Sequence, residues 1–159
     1  MELAISNDLA EFPQTNICEK IFNALEGRWE LQREIVDIGY VVATASFDRT
    51  SATTLHYQEQ GTLTLRSGFA GQILKEYIYK LRANDIQIIF ADTTAIGNTF
   101  LTLQPIKDGL GARAQDTHLC GTDRYHCKYN FVSKDAFLID IRVEGANKSY
   151  VTKTHFRRC

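Results

Sequence analysis

The pattern of apolar and polar residues along this chain changes its period at residue 27. Before it, apolar residues lie at the i, i+4, i+5 and i+8 spacing of one helical stripe: Ile17, Ile21, Phe22 and Leu25. This stripe predicts a short helix over 16–26, with Asn16 as its N-cap and Gly27 as its terminator. Residues 1–14 are acidic and aperiodic, so we predict a flexible leader there.

After Gly27 apolar and polar residues alternate with period two, which is typical of half-buried β-strands. Strands joined by short turns pair as antiparallel hairpins, and a long series of them either stacks as two sheets or closes on itself. Closure removes exposed strand edges. We therefore predict an all-β fold, a single up-and-down barrel in one domain over 15–159, with a Greek-key sandwich as the alternative. About ten segments carry the pattern: 29–35, 40–47, 55–65, 73–81, 86–90, 100–105, 114–120, 125–131, 137–143 and 150–156.

Composition narrows the class of protein without naming a function. The 159 residues are 44% hydrophobic and 23% charged, which is ordinary for one globular domain and excludes disordered, collagen-like and membrane-spanning chains. The formal charge of -1 argues against a nucleic-acid partner. The first residues have neither a basic start nor an apolar run, so we expect a cytoplasmic protein with four reduced cysteines.

Two short motifs resemble those of lipocalins and related calycins. Gly27-Arg28-Trp29, directly after a short helix, resembles the Gly-x-Trp that opens their barrel, and Thr122-Asp123-Arg124-Tyr125 resembles their Thr-Asp-Tyr turn with one residue inserted. The resemblance implies that Trp29 closes one end of the barrel and that an arginine of the last strand lies across its ring. Arg158 is the preferred candidate and Arg157 the other.

A longer series of residues, from Leu25 to Arg158, resembles a small bacterial lipocalin-like family of unknown function. This resemblance implies a barrel with an interior cavity and carries no established activity. The matching motifs are Leu25-x-Gly27-x-Trp29-x-Leu31-x-Arg33, Leu55-x-Tyr57-x-Glu59-x-Gly61, Tyr77-x-Tyr79, His118-x-Cys120-x-x-Asp123-x-Tyr125 and Gly145-x-x-Lys148-x-Tyr150.

Strict alternation places several polar side chains, Tyr129 among them, on the interior face with the leucines and phenylalanines. A buried charge must be paired, so we predict an Arg33–Glu59 pair. One interpretation is non-enzymatic binding of a small amphipathic or anionic ligand in a polar-lined cavity; the other is an internal salt-bridge network in a filled barrel. The candidate binding residues are Arg33, Tyr57, Glu59, Tyr77, Tyr79, His118 and Tyr125.

Two further functions stay open at this point. An enzyme would use the same cavity with His118 as its base and Tyr77, Tyr125 or Cys120 nearby, although nothing in the spacing demands the nucleophilic set Cys120–His118–Asp116. A filled barrel would instead bind a protein partner, through its basic C-terminal strand. We assign no catalytic residue.

Cofactors are not expected. His118, Cys120 and Cys127 are potential zinc ligands, but the chain has no Cys-x-x-Cys pair and Cys120-x6-Cys127 is not a zinc spacing. Because some ten-stranded calycin-like barrels bind haem through a late histidine, His155 is the positional candidate here. It shares the outward parity of Lys153 and Arg157, so haem would require a bulge that inverts the strand.

Overall fold

A computed structural model describes residues 14–92, 96–106, 110–117, 123–146 and 148–159. The predicted leader therefore lies outside the described residues except for Gln14, and so does the end of the predicted strand 114–120. The elements are one helix, α1 (Gln14–Leu25), and ten strands, β1 (Gly27–Ile35), β2 (Gly39–Ser51), β3 (Thr54–Leu65), β4 (Ala70–Leu81), β5 (Ile86–Phe90), β6 (Thr99–Pro105), β7 (Gly111–Thr117), β8 (Arg124–Ser133), β9 (Ala136–Glu144) and β10 (Ser149–Arg158).

The ten strands form one closed antiparallel barrel in which each strand pairs with its neighbours in sequence. The barrel closes where β1 pairs with β10, in a continuous register from Trp29–Arg158 to Ile35–Thr152. Closure gives each strand a hydrogen-bonded neighbour on both sides, although the described residues of β6 and β7 pair only at Gln104–Arg113 and Pro105–Ala112. The predicted up-and-down barrel is confirmed, and the Greek-key alternative is excluded.

Helix α1 has bounds that differ slightly from the predicted 16–26. It begins at Gln14, so Asn16 lies inside the helix rather than at its cap, and it ends at Leu25. The chain turns from helix to strand through Gly27, whose φ of 127° suits glycine, and a Cβ there would lie 2.5 Å from Arg158 Nη1. Glu26 belongs to this turn, so the helix ends at Leu25 rather than at the predicted residue 26. In the described part of the chain no helix is long and apolar enough to cross a membrane.

Aromatic side chains fill the barrel around Trp29, which is fully buried. The Phe137 ring meets the Trp29 ring edge-on at a centroid distance of 4.7 Å and stacks on the Phe156 ring at 4.2 Å. The Phe131 ring also stacks on the Phe137 ring, at a centroid distance of 4.9 Å. Such geometries add to the burial of the rings themselves. We call Trp29, Phe131, Phe137 and Phe156 the aromatic plug.

The plug is tied to α1 through the last carbonyl groups of the helix, which have no partner within a helix. Trp29 Nε1 donates to Leu25 O at 2.8 Å, and Arg158 donates to Ala24 O at 2.9 Å and to Glu26 O at 2.8 Å. The Arg158 Cζ atom lies 4.2 Å from the centre of the Trp29 ring, within cation–π range. This is the arrangement that the lipocalin resemblance implies, with Arg158 rather than Arg157 in place.

Candidate functional site

Beyond the aromatic plug the barrel holds a cavity of about 240 Å³. Phe156 belongs to both regions, since it packs in the plug and also forms part of the cavity wall. The remaining wall is divided between polar and apolar side chains. Its polar members are Arg33, Tyr57, Glu59, Lys75, Tyr77, Tyr79, Tyr125, Tyr129, Tyr150, Thr152 and Thr154; its apolar members are Ile88, Phe90, Phe100, Leu101, Ile139, Ile141 and Val143.

The charged centre of the cavity is an ion pair between β1 and β3. Arg33 Nη1 and Nη2 donate to the two carboxylate oxygens of Glu59 at 2.8 and 2.9 Å, and Arg33 Nε donates to Thr154 Oγ1 at 2.9 Å. The Tyr57 hydroxyl donates to Glu59 Oε1. The predicted Arg33–Glu59 pair is therefore present, in the bidentate geometry that gives the strongest such pairs.

Burial makes this pair a tightly coupled one, since the side chains of Arg33 and Glu59 are only 12% and 1% exposed. Burial alone would raise the pKa of the Glu59 carboxyl, but the hydrogen bonds and charge of Arg33 outweigh it, so the pKa is lowered. For Arg33 burial acts to lower the pKa, and the bonds to Glu59 outweigh it in the opposite direction. Both groups are charged at neutral pH, and their charges cancel.

Lys75 on β4 is a cavity residue that the sequence interpretation missed. It is the direct cross-strand neighbour of Glu59, so both side chains lie on the interior face. Even so, no carboxylate oxygen of the described residues lies within 4.0 Å of its amine. Burial, and then the positive charge of Arg33, lower the pKa of Lys75. The sequence did indicate the interior position of Lys75, because Lys75 shares the parity of Tyr77 and Tyr79 on the same strand.

Tyrosine side chains supply most of the other polar groups in the wall. Tyr79 and Tyr129 share a hydrogen bond of 2.6 Å between their hydroxyls, and both are buried. The Tyr77 ring lies between Tyr57 and Phe100, stacked at centroid distances of 6.0 and 5.5 Å. Burial raises the pKa of Tyr77 and Tyr79, so these phenols stay protonated at neutral pH and each keeps a hydroxyl proton that can be donated.

The cavity brings together six of the seven predicted binding residues, all except His118, which lies outside the described residues along with Cys120. Besides Lys75, the sequence interpretation also omitted Tyr150 and Thr152, which line the cavity from β10. Both share the parity of Phe156, so the same alternation rule would have found them.

Asp123, predicted as a structural residue, lies at the start of β8 close to the β9–β10 turn. Its carboxylate accepts a 2.9 Å bond from Lys148 Nζ. A Cβ atom at Gly145 would crowd Asp123 Oδ1, so a larger residue there would force the Asp123 carboxylate to shift. Asp123, Gly145 and Lys148, which come from the sequence motifs given above, thus meet at one contact between neighbouring hairpins.

His155, the positional haem candidate, is exposed on the outer surface of the barrel. It pairs with Gln32 and Leu138 in an unbroken register, with no bulge to turn it inward. A haem ligand at this position is therefore not supported. Within the described ranges, no three His, Cys, Asp or Glu side chains gather in a way that would hold a metal ion.

A closed ten-stranded barrel, plugged at one end by a Trp–Arg pair and hollow beyond it, is a calycin-like barrel. The chain belongs to the family of unknown function DUF6314, whose model matches residues 25–158. No curated protein matches its sequence.

Solved structures share the fold at low sequence identity. The S-type phycobiliprotein lyase CPES from Guillardia theta is 9% identical with a TM-score of 0.67, over 89% of this chain and 92% of that one. EF1p2_mFAP2b bound to DFHBI is 13% identical with a TM-score of 0.52, over 89% and 99% of the two chains. At these identities the likeness establishes the fold alone.

Proposed function

We propose that this protein binds a small amphipathic anion in the barrel cavity without transforming it. The observation that carries the proposal is the charge balance of the polar wall. Arg33 and Glu59 neutralise each other, whereas Lys75 has no carboxylate partner among the described residues, so the wall has an excess of one positive charge. An anionic group of a ligand would supply the missing partner.

The rest of the wall suits the non-polar part of such a ligand. Isoleucine, leucine and phenylalanine side chains from β5, β6 and β9 face the polar groups across the cavity. Tyrosine hydroxyls are well placed to orient a carboxylate or phosphate as donors. A volume of about 240 Å³ lies just below the roughly 300 Å³ at which ordinary ligand pockets begin, which favours a ligand of one or two rings.

Related barrels support a ligand-binding function. EF1p2_mFAP2b is bound to DFHBI, and CPES is a phycobiliprotein lyase. The cavity itself favours binding over the filled-barrel alternative. The catalytic alternative depends on His118, which lies outside the described residues.

We also propose a reducing, cytoplasmic location. Cys18 and Cys159 carry free thiols, which is the usual state of cysteines in such a compartment.

The experiment is calorimetric titration with two ring-matched probes, 2-naphthoate and neutral 2-naphthalenemethanol. We expect the anion to bind about tenfold more tightly, which corresponds to about 1.4 kcal/mol for one added charge interaction. Lys75→Met should remove this preference, whereas Lys80→Met, which removes an exposed lysine of the same strand, should retain it. Equal affinity of the wild-type protein for both probes, or a preference that survives Lys75→Met, would contradict the proposal.

A further inference from the structure

Lys75 contributes the one primary amine among the described residues that line the cavity. A neutral amine is a nucleophile toward carbonyl carbon, and lysines held in desolvated sites beside another cation are activated in this way. We propose that Lys75 forms a reversible imine with small aldehydes or ketones that enter the cavity. The inference rests on the proposed function, because it assumes that the cavity admits a ligand, and it adds a chemical class to that ligand.

The Lys75 amine has no carboxylate oxygen in direct contact among the described residues. Glu59 is its cross-strand neighbour, but both oxygens of that carboxylate are bound by Arg33 and one also accepts the Tyr57 hydroxyl. The Glu59 carboxylate is therefore already paired with Arg33. In the described part of the chain the amine of Lys75 makes no ion pair within 4.0 Å.

The electrostatics favour the reactive form of the amine. Burial disfavours the ammonium ion and the nearby Arg33 guanidinium repels it; these two effects outweigh the attraction of the Glu59 and Asp92 carboxylates, so the pKa of Lys75 is lowered. At a given pH, a larger fraction of this amine is therefore neutral than of a lysine side chain with the ordinary pKa. No cysteine lines the described wall to compete for the carbonyl.

The step itself balances without an oxidant or reductant. The Lys75 nitrogen forms a bond to the carbonyl carbon, and the carbonyl oxygen takes a proton to give a carbinolamine. Loss of that oxygen as water, together with a proton from nitrogen, gives the imine, and addition of water reverses the reaction. Phenols in the wall, Tyr77 among them, stay protonated and can donate to the carbonyl oxygen.

The wall beside Lys75 favours a ring or conjugated chain on the carbonyl compound. Tyr77 follows two residues after Lys75 on the same face of β4, and its ring stacks with Tyr57 and Phe100. Flat aromatic faces of this kind pack well against planar groups. Aromatic aldehydes are accordingly the substrate class to test.

The test is reductive trapping with 2-naphthaldehyde and sodium cyanoborohydride, followed by intact mass and peptide mapping. Hydride transfer to the imine carbon leaves a secondary amine, so each adduct adds the mass of the aldehyde less one oxygen atom. We expect one dominant adduct on Lys75, formed at a lower pH than adducts on exposed lysines. Lys80→Arg, the matched control, should leave that adduct unchanged.

Lys75→Arg separates this inference from the proposed function, because arginine retains the positive charge and is not a nucleophile under these conditions. We expect the variant to lose the dominant adduct, while its preference for 2-naphthoate over 2-naphthalenemethanol keeps the same sign even if both affinities change with the larger side chain. Wild-type protein that binds 2-naphthoate but is labelled only on exposed lysines would overturn the imine inference alone. Labelling of Lys75 without any binding of 2-naphthoate would overturn the anion proposal alone.

Discussion

The two halves of this barrel have the same backbone architecture and opposite interiors. Around Trp29 the inward positions are aromatic and apolar, with ring centroids of contacting pairs 4.2 to 6.4 Å apart. Beyond Phe156 the inward positions carry Arg33, Glu59 and Lys75 around a space of about 240 Å³. Close packing stabilises the first half, whereas the cavity leaves the second half less closely packed. Close packing and the proposed ligand-binding function therefore lie at different ends of one barrel.

The strongest test of this division deletes one aromatic ring from each half. Phe137→Ala removes a fully buried ring that contacts the other members of the plug, and it should lower the free energy of unfolding by about 3–5 kcal/mol. Phe100→Ala, its matched control, removes a half-buried ring from the cavity wall and should cost about 1–2 kcal/mol, because that ring already borders empty space. Urea unfolding followed by Trp29 fluorescence measures both. Equal losses would contradict the division.

The next largest effect on stability is expected at the Arg33–Glu59 pair, in the half of the barrel that holds the cavity. Glu59→Gln should destabilise the protein by about 3 kcal/mol, because it leaves the Arg33 guanidinium buried without a counter-charge. The double variant Arg33→Met/Glu59→Leu removes both charges and should recover most of that loss in thermal unfolding. A double variant no more stable than Glu59→Gln would contradict this account.

The same pair predicts an acid dependence of stability. The pKa of Glu59 is lowered in the folded protein, so its contribution is complete above the ordinary carboxyl value of about 4.3 and is lost as the pH falls through the lower folded value. Glu59→Gln should therefore lose less stability than the wild-type protein between pH 5 and the acid transition, a range that follows from the ordinary value of about 4.3. Parallel acid-unfolding curves for the two proteins would be the contrary result.

A smaller effect is expected where the plug meets α1. Arg158→Met removes the cation above Trp29 and the bonds to Ala24 O and Glu26 O, with an expected loss of about 1–2 kcal/mol. Arg157→Met, which removes an exposed neighbour, should change stability by less than about 0.5 kcal/mol. Chemical unfolding measures the free energy of unfolding of both variants. A similar loss of stability in each would show that the Trp29–Arg158 contact does not stabilise this end of the barrel.

The smallest expected effect has the opposite sign. Lys75→Met should raise the stability of the ligand-free protein by about 1 kcal/mol, since it removes a half-buried cation that has no carboxylate oxygen within 4.0 Å among the described residues. The pKa of Lys75 is lowered by folding, so its penalty is complete below the folded pKa and disappears as the pH rises toward the unfolded value. The gain in melting temperature should therefore shrink in alkaline buffer, and Lys80→Met should show no gain. A loss of stability in Lys75→Met would contradict a ligand-directed role for the amine.

The fold was predictable from the sequence because a two-residue period continues through ten segments joined by short turns, and this pattern is local. The same parity placed Arg33 and Glu59 together, since two buried opposite charges must pair. Lys75 was missed because lysine usually lies on the outer face, although its parity with Tyr77 was visible. The cavity was not predictable as a volume, because the space left inside a barrel depends on side-chain packing across all of its strands.

The pairing of β1 with β10 also makes closure of the barrel a long-range event in folding. We expect Arg158 to reach Trp29 only after the intervening hairpins are in place, because the registers of those hairpins bring the two ends of the chain together. Contacts of high sequence separation form slowly, since a long loop must be ordered before they stabilise it. Trp29 is the only tryptophan of the chain, so the change in its fluorescence during refolding should report this closing step rather than the formation of the first hairpins.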